Sequence, residues 1–199
     1  MELFYTLTSP YSRKILLVLD HLKLTDQVTL TFLHPFEDQS GRLIEANPLG
    51  KIPTLVLGRG YTVYDSPVIA DALFQMAETP ELSFEEHLKQ QKMQALADGI
   101  MDAAVLAQQE KCRDAAQQSP MWLERWEAAI LRGLQEFEHN MIHDAGDWHI
   151  GSMSMACALD YIRFRHPDLN WMTDHPLTYK WYQTVQKMDI MIKTDPRQT

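Results

Sequence analysis

Thr8-Ser9-Pro10-Tyr11-Ser12 has the spacing of a Cys-Pro-Tyr-Cys redox turn with an oxygen in the place of each sulfur. Hydroxyls do not exchange disulfides, so the chemistry left to this turn is hydrogen bonding. Ser9-Pro10 also carries a helix-start signature, an N-cap residue followed by proline at the first helical position. The Ser9 hydroxyl therefore serves either as a cap or as a donor to a sulfur brought by a ligand. Ser12 lies about one turn further in, and Arg13 and Lys14 read as a solvated face that adds positive potential.

Two more stretches could do chemistry. In Asn47-Pro48-Leu49-Gly50-Lys51-Ile52-Pro53-Thr54-Leu55 a proline enters a strand, where it removes one ladder donor and restricts Ile52 to extended geometry. If the Ile52-Pro53 bond is cis, the Ile52 backbone turns outward and can pair with a peptide as an added strand would. Local sequence alone favours a trans proline at a strand start. In Asp65-Ser66-Pro67-Val68-Ile69, Ser66 and the backbone N–H groups of a helix start suit a carboxylate, and Asp65 suits an ammonium group. Capping alone also accounts for this stretch.

The elements that must position these residues alternate up to about residue 77. Glu2–Tyr5 is strand-like, and Ile15, Leu16, Leu19 and Leu22 recur at helical spacing. Residues 28–33 are β-branched and alternating, and a short helix is expected near Gly41–Ala46. Thr54–Leu57 and Tyr61–Tyr64 flank Gly58-Arg59-Gly60 as a β-hairpin, and Ser66-Pro67 opens a helix as cap plus proline. The order βαβ, α, ββα predicts a small mixed sheet covered by helices.

From Ser83 onward the pattern is helical. One long helix is expected over 85–116 with Leu88, Leu96, Ile100, Met101, Ala104 and Val105 as its apolar face. Another starts at Ser119-Pro120 and carries a stripe of Trp122, Trp126, Ile130, Leu134 and Phe137. A third covers roughly 151–164, and the last begins near Pro176. Glu78-Thr79-Pro80-Glu81 is the natural linker, giving domains at 1–78 and 84–199.

The chain of 199 residues can bury a core without disulfides. Its net charge of −9 argues against a general nucleic-acid or anionic-membrane surface. Cys112 and Cys157 are too few for a disulfide framework or zinc cluster, and each reads as a buried thiol in a helix. The eight histidines show no metal-ligand spacing and read as surface or capping residues. No apolar run approaches the ~20 residues of a membrane span, so a cytoplasmic protein is expected.

Taken in order and spacing, Ser-Pro-Tyr-Ser, Asn-Pro-Leu-Gly-Lys-Ile-Pro and Asp-Ser-Pro-Val-Ile resemble the N-terminal half of a bacterial cytosolic glutathione S-transferase of serine type. Ala95–Asp102 and Ala156–Arg165 resemble its second half. The resemblance implies an α/β thioredoxin-like N-terminal domain followed by an all-α C-terminal domain. It makes Ile52-Pro53 a cis junction at which Ile52 pairs with the cysteinyl backbone of glutathione. Asp65 and Ser66 would hold the γ-glutamyl end, and Ser9 would face the sulfur. One departure stands out: where the family caps its C-terminal core helix with Thr or Ser and an Asp three residues later, this chain has His149 and Ser152. That places the stability of this helix start in question.

The activity implied is a glutathione transferase of detoxification type. It would stabilise the thiolate with Ser9 as donor, glutathione as co-substrate, and neither metal nor other cofactor. The partners implied are a small hydrophobic electrophile and a second copy of the chain in a homodimer, with no nucleic acid or membrane. The electrophile would lie between Ser9 and the long helix carrying Asp98, Met101, Asp102 and Val105, with Asp98 reaching the glutathione amine. A non-catalytic interaction protein on the same fold, and a glutathione-dependent disulfide reductase, remain as alternatives.

Overall fold

Strand β1 (Glu2–Tyr5) runs through the middle of a four-stranded sheet in a computed structural model that describes residues 1–198. The strand order is β2-β1-β3-β4, with β2 at Thr29–Phe32, β3 at Thr54–Val56 and β4 at Thr62–Val63. β1 pairs parallel with β2, placing Leu3 opposite Leu30, and antiparallel with β3, placing Phe4 opposite Thr54. β3 and β4 form the expected hairpin, with Leu55 opposite Val63 and a 3-10 turn at Gly58–Gly60 between them.

The parallel β1–β2 step needs a crossover, and helix α1 (Pro10–His21) supplies it. Helix α2 (Arg42–Ala46) follows β2, and α3 (Ser66–Met76) follows β4 and packs against α1. Leu3, Ile15, Leu17, Val18, Leu55, Ile69 and Leu73 form the core between sheet and helices. Arg42 ties α2 to the sheet: its Nη2 meets both Glu2 carboxylate oxygens at 2.8 and 2.9 Å, and its guanidinium lies 5.0 Å from the Phe4 ring centroid.

Residues 82–192 form a separate, wholly helical unit, whereas residues 193–198 group with residues 1–81. Helix α4 (Phe84–Lys111) begins with a reciprocal Ser83–Glu86 capping box and packs on α5 (Pro120–Glu136) and α6 (Ile150–Arg165). Its buried face is Met93, Ala97, Ile100, Met101, Ala104 and Ala107. Leu88, expected on that face, is 54% exposed. The helix stops at Lys111, short of the expected 116: Asp114 leaves helical geometry with φ −54° and ψ 135°, and Gln118 Nε2 caps the carbonyls of Lys111 and Arg113 at 3.2 and 2.9 Å.

The α5 stripe is buried at Ile130, Leu134 and Phe137, but Trp122 is 44% exposed. It stacks on Trp126 of its own helix, centroids 5.5 Å apart, in place of core contacts. A π-helical turn (Phe137–Met141) follows, then α7 (Pro176–Val185) and a further short helix, α8 (Asp189–Lys193), beyond the one expected to be last.

The unusual start of α6 is a complete capping box. His149 Nε2–H donates to the Asp144 carbonyl at 2.9 Å, which leaves Nδ1 to accept from the N–H groups of Gly151 and Ser152 at 3.1 and 3.3 Å. Ser152 Oγ accepts from the His149 N–H at 2.8 Å. An imidazole thus does the work of a hydroxyl cap. Two other histidines also flank helices: His166 at the C-cap of α6 and His175 at the N-cap of α7, both buried. Cys157 is buried in α6, while Cys112, at the C-cap of α4, is exposed, contrary to expectation.

Candidate functional site

The register of the sheet brings the three sequence motifs to one edge. Phe4, near the end of β1, lies opposite Thr54 at the start of β3, and Val63 at the end of β4 lies opposite Leu55. The segment after β1, the segment before β3 and the segment after β4 therefore share the same end of the sheet. Those segments carry Ser9, Ile52-Pro53 and Asp65-Ser66. The N-termini of α1 and α3 open at this edge, and each presents backbone N–H groups without intrahelical acceptors.

Ser9 is the N-cap of α1, with φ −79° and ψ 120°, and Pro10 is the first helical residue. Its Oγ accepts the Ser12 N–H at 3.2 Å, and its carbonyl accepts the Arg13 N–H at 3.0 Å. The oxygen accepts from the helix, and the hydroxyl proton is left available to a partner outside it. Ser9 is half-buried and so reachable from one side. Ser12 is fully buried, and its Oγ has no hydrogen-bond partner.

Arg13 and Lys14 do not form a solvated face: they are 4% and 0% exposed. Arg13 Nε donates to Thr194 Oγ1 at 3.0 Å, a partner 181 residues away that no local reading of α1 could supply. Two basic side chains are thus covered in the first turns of α1.

The Ile52-Pro53 bond is cis, as is the Tyr64-Asp65 bond. Ile52 is half-buried and stands two residues before the first paired residue of β3, while Pro53 is buried. The turn that delivers them is organised by Asn47, which is 1% exposed. Its Nδ2 donates to the Lys51 carbonyl at 2.9 Å and to Thr54 Oγ1 at 3.1 Å, and its Oδ1 accepts from the Leu49 N–H at 3.0 Å. Thr54 Oγ1 donates back to the Lys51 carbonyl at 2.8 Å. Gly50 takes φ +59° inside this turn, a conformation costly for other residues. Sequence reading missed the part played by Asn47 and Thr54; the signal was an Asn-Pro turn seven residues ahead of a strand threonine.

At the third segment the N-cap of α3 is Asp65 and Ser66 is the first helical residue, one position on from the expected cap. The shift follows from the hydrogen-bond pattern, since the Asp65 carbonyl accepts the Ile69 N–H at 2.9 Å. The Asp65 side chain is exposed and makes no capping bond, whereas Ser66 is buried.

The other residues named for this site belong to α4. Asp98 and Val105 are half-buried and Asp102 is exposed, but Met101 is fully buried and so is core. Among the described residues no group of three His, Cys, Asp or Glu is arranged to hold a metal ion, and no helix is long and apolar enough to cross a membrane.

Comparison with known proteins gives consistent matches. Residues 8–75 match the glutathione S-transferase N-terminal domain, and residues 120–184 match the glutathione S-transferase C-terminal domain. The chain is 32% identical to the GST-like protein YibF of Escherichia coli K12, with 98% of each chain covered. A glutathione transferase family member from Pseudomonas fluorescens Pf-5, solved with bound glutathione, is 36% identical with a TM-score of 0.92 over 98% of both chains. A glutathione S-transferase from Methylobacillus flagellatus KT, also solved with glutathione, is 28% identical with a TM-score of 0.89 and the same coverage.

Proposed function

The chain belongs to the glutathione S-transferase family, and from that premise we propose that it binds glutathione at the edge of its first unit and presents the thiolate to a small hydrophobic electrophile. One observation carries this reading: Ser9, Ile52 and Asp65-Ser66 come from three separate segments and share one end of the sheet with two helix N-termini. The glutathione held by the Pseudomonas and Methylobacillus relatives supports the choice of ligand.

The binding roles follow from the chemistry of each group. The backbone of half-buried Ile52, two residues ahead of the first paired residue of β3, pairs with the cysteinyl backbone of glutathione. The exposed Asp65 carboxylate takes the γ-glutamyl ammonium. Ser66 and the first N–H groups of α3 take the γ-glutamyl carboxylate, because a helix N-terminus favours an anion.

Glutathione brings the sulfur that the turn lacks. A free thiol has a pKa of about 8.5 and is mostly protonated near neutrality. Ser9 accepts from Ser12 and donates its hydroxyl proton to the sulfur, which favours the thiolate. The α1 dipole acts in the same direction. Lowering the thiol pKa by one to two units takes roughly 1.4–2.7 kcal/mol, within the range of those effects together. Ser9 is a hydrogen-bond donor here and forms no covalent bond. The thiolate attacks the electrophile, a C–S bond forms, and the leaving group departs with the electron pair. The working form is a homodimer, as closed twofold assembly favours. Sedimentation should give a species of about twice 23.1 kDa, and a stable monomer at micromolar concentration would refute this.

The test of the site is Ser9→Cys with the exposed Cys112 replaced by alanine; Cys157 is buried and stays. Treated with oxidised glutathione, the new thiolate should attack one sulfur of the disulfide, form a mixed disulfide and release one glutathione thiolate. Mass spectrometry should find one adduct at position 9. An intact fold without adduct would show that Ser9 does not face the sulfur. Aryl-halide conjugation and disulfide reduction measured side by side on the natural sequence separate a transferase from a reductase, and neither activity would leave a binding module.

A further inference from the structure

Residues 193–198 leave the helical unit and group with residues 1–81. Thr194 and Pro196 are buried, and the segment stiffens itself through Asp195, whose Oδ1 accepts the Arg197 N–H at 3.0 Å and meets its Nε at 2.8 Å. One of its contacts with α1 is the Arg13–Thr194 hydrogen bond of 3.0 Å, under cover from solvent at both ends. A buried guanidinium needs acceptors that stay in place, and this bond supplies one of them to the Arg13 side chain.

Arg13 is also the residue that closes the first turn of α1, through its N–H to the Ser9 carbonyl. Its neighbour Ser12 holds Ser9 Oγ. The first turn of a helix is its least protected part, because its N–H groups lack intrahelical partners. Here that turn is held from inside by two bonds to Ser9 and from outside by Thr194. We propose that Thr194 is a positioning residue, bracing the first turn of α1 through Arg13 and so fixing the direction of the Ser9 hydroxyl. The proposal rests on the reading of Ser9 as the donor to the glutathione sulfur. Orientation at a reacting centre carries large rate effects, so a brace remote in sequence can act on the chemistry without touching the ligand.

The test compares Thr194→Val, which keeps the shape and removes the acceptor, with Thr194→Ser, which restores it. Amide hydrogen exchange of the ligand-free protein should show the Ser12 and Arg13 N–H groups exchanging about fivefold faster or more in Thr194→Val, with Leu17–Leu19 unchanged. The thiolate absorbance of bound glutathione, titrated with pH, should show its midpoint shifted upward by about half a unit, a roughly threefold change in the ionisation constant. Thr194→Ser should return both to the natural values. Unchanged exchange at Ser12 and Arg13 overturns the brace, and faster exchange with an unmoved titration overturns its role in positioning. If the natural protein binds no glutathione, the reading of the site fails, and the exchange rates alone decide the brace.

Discussion

The side-chain amide of Asn47 donates to the backbone carbonyl of Lys51 across 2.9 Å, which clamps the turn that delivers Ile52 and Pro53 to the sheet edge. Every polar group of this buried side chain is engaged, in part with Thr54 and Leu49. Asn47→Asp keeps the shape but replaces two donated bonds with a carboxylate facing a carbonyl. We expect a loss of about 2–4 kcal/mol in urea unfolding. Glutathione affinity should fall with it, measured where both proteins remain folded. Unaltered stability would mean that the turn is held by Gly50 and Pro53 without the clamp.

Ser66→Ala tests the other end of the ligand. Because Ser66 is the first helical residue of α3 and not its N-cap, removal of the hydroxyl deletes no cap. Thermal stability should change little, while calorimetry should show glutathione binding weakened by ~1.5–3 kcal/mol, the value of a charge-assisted hydrogen bond. Unchanged affinity would remove Ser66 from the site.

Gly151→Ala has an expected sign opposite to its helix propensity. Alanine ordinarily stabilises a helix by up to about 1 kcal/mol over glycine. At Gly151, however, an added Cβ would stand 2.8 Å from the Gln90 carbonyl oxygen and 2.8 Å from Met93 Cβ, where α6 comes close to α4. We expect destabilisation of about 1–3 kcal/mol from overpacking. A melting temperature equal to or above that of the natural protein would refute the close approach.

His166 makes the helical unit sensitive to acid. Its Nε2–H donates to the Ala104 carbonyl at 2.8 Å, and its Nδ1 accepts from Lys111 Nζ at 3.3 Å, so the ring is neutral as packed. Burial lowers its pKa, Lys111 and Arg165 act in the same direction, and the Ala104 bond and Glu127 oppose them. With the folded pKa depressed, the unfolded chain binds the proton first. Stability is therefore full above the ordinary histidine pKa of about 6.5 and falls as pH drops through the folded value. Urea unfolding at neutral and mildly acidic pH should show a larger acid loss in the natural protein than in His166→Gln. Equal losses would assign the effect to other groups.

Local pattern determined most of the architecture. Periodicity, cap-and-proline starts and the glycine-bearing turn are short-range features, and they placed the strands and most of the helices in order. The order βαβ, α, ββα then left few arrangements for the sheet, because a parallel pair needs a crossover and an antiparallel pair does not. Ser9, Ile52-Pro53 and Asp65-Ser66 were legible as candidates for the same reason: each is a local motif of cap, proline or helix start.

Only the tertiary structure decided which charged side chains are covered. Arg13 and Lys14 read as surface residues because burial of a cation depends on an acceptor elsewhere, and one partner of Arg13 stands at Thr194. The same reason hid the clamp at Asn47, whose side chain makes sense only once Lys51 and Thr54 fold back on it. It also hid the imidazole cap of α6, since the bond from His149 to the Asp144 carbonyl leaves Nδ1 free to accept. Trp122 and Cys112 erred the other way: helical spacing says which residues share a face, but not whether another element covers that face. Backbone preference is fixed within a few residues, whereas desolvation and hydrogen-bond partnership are fixed by neighbours in space.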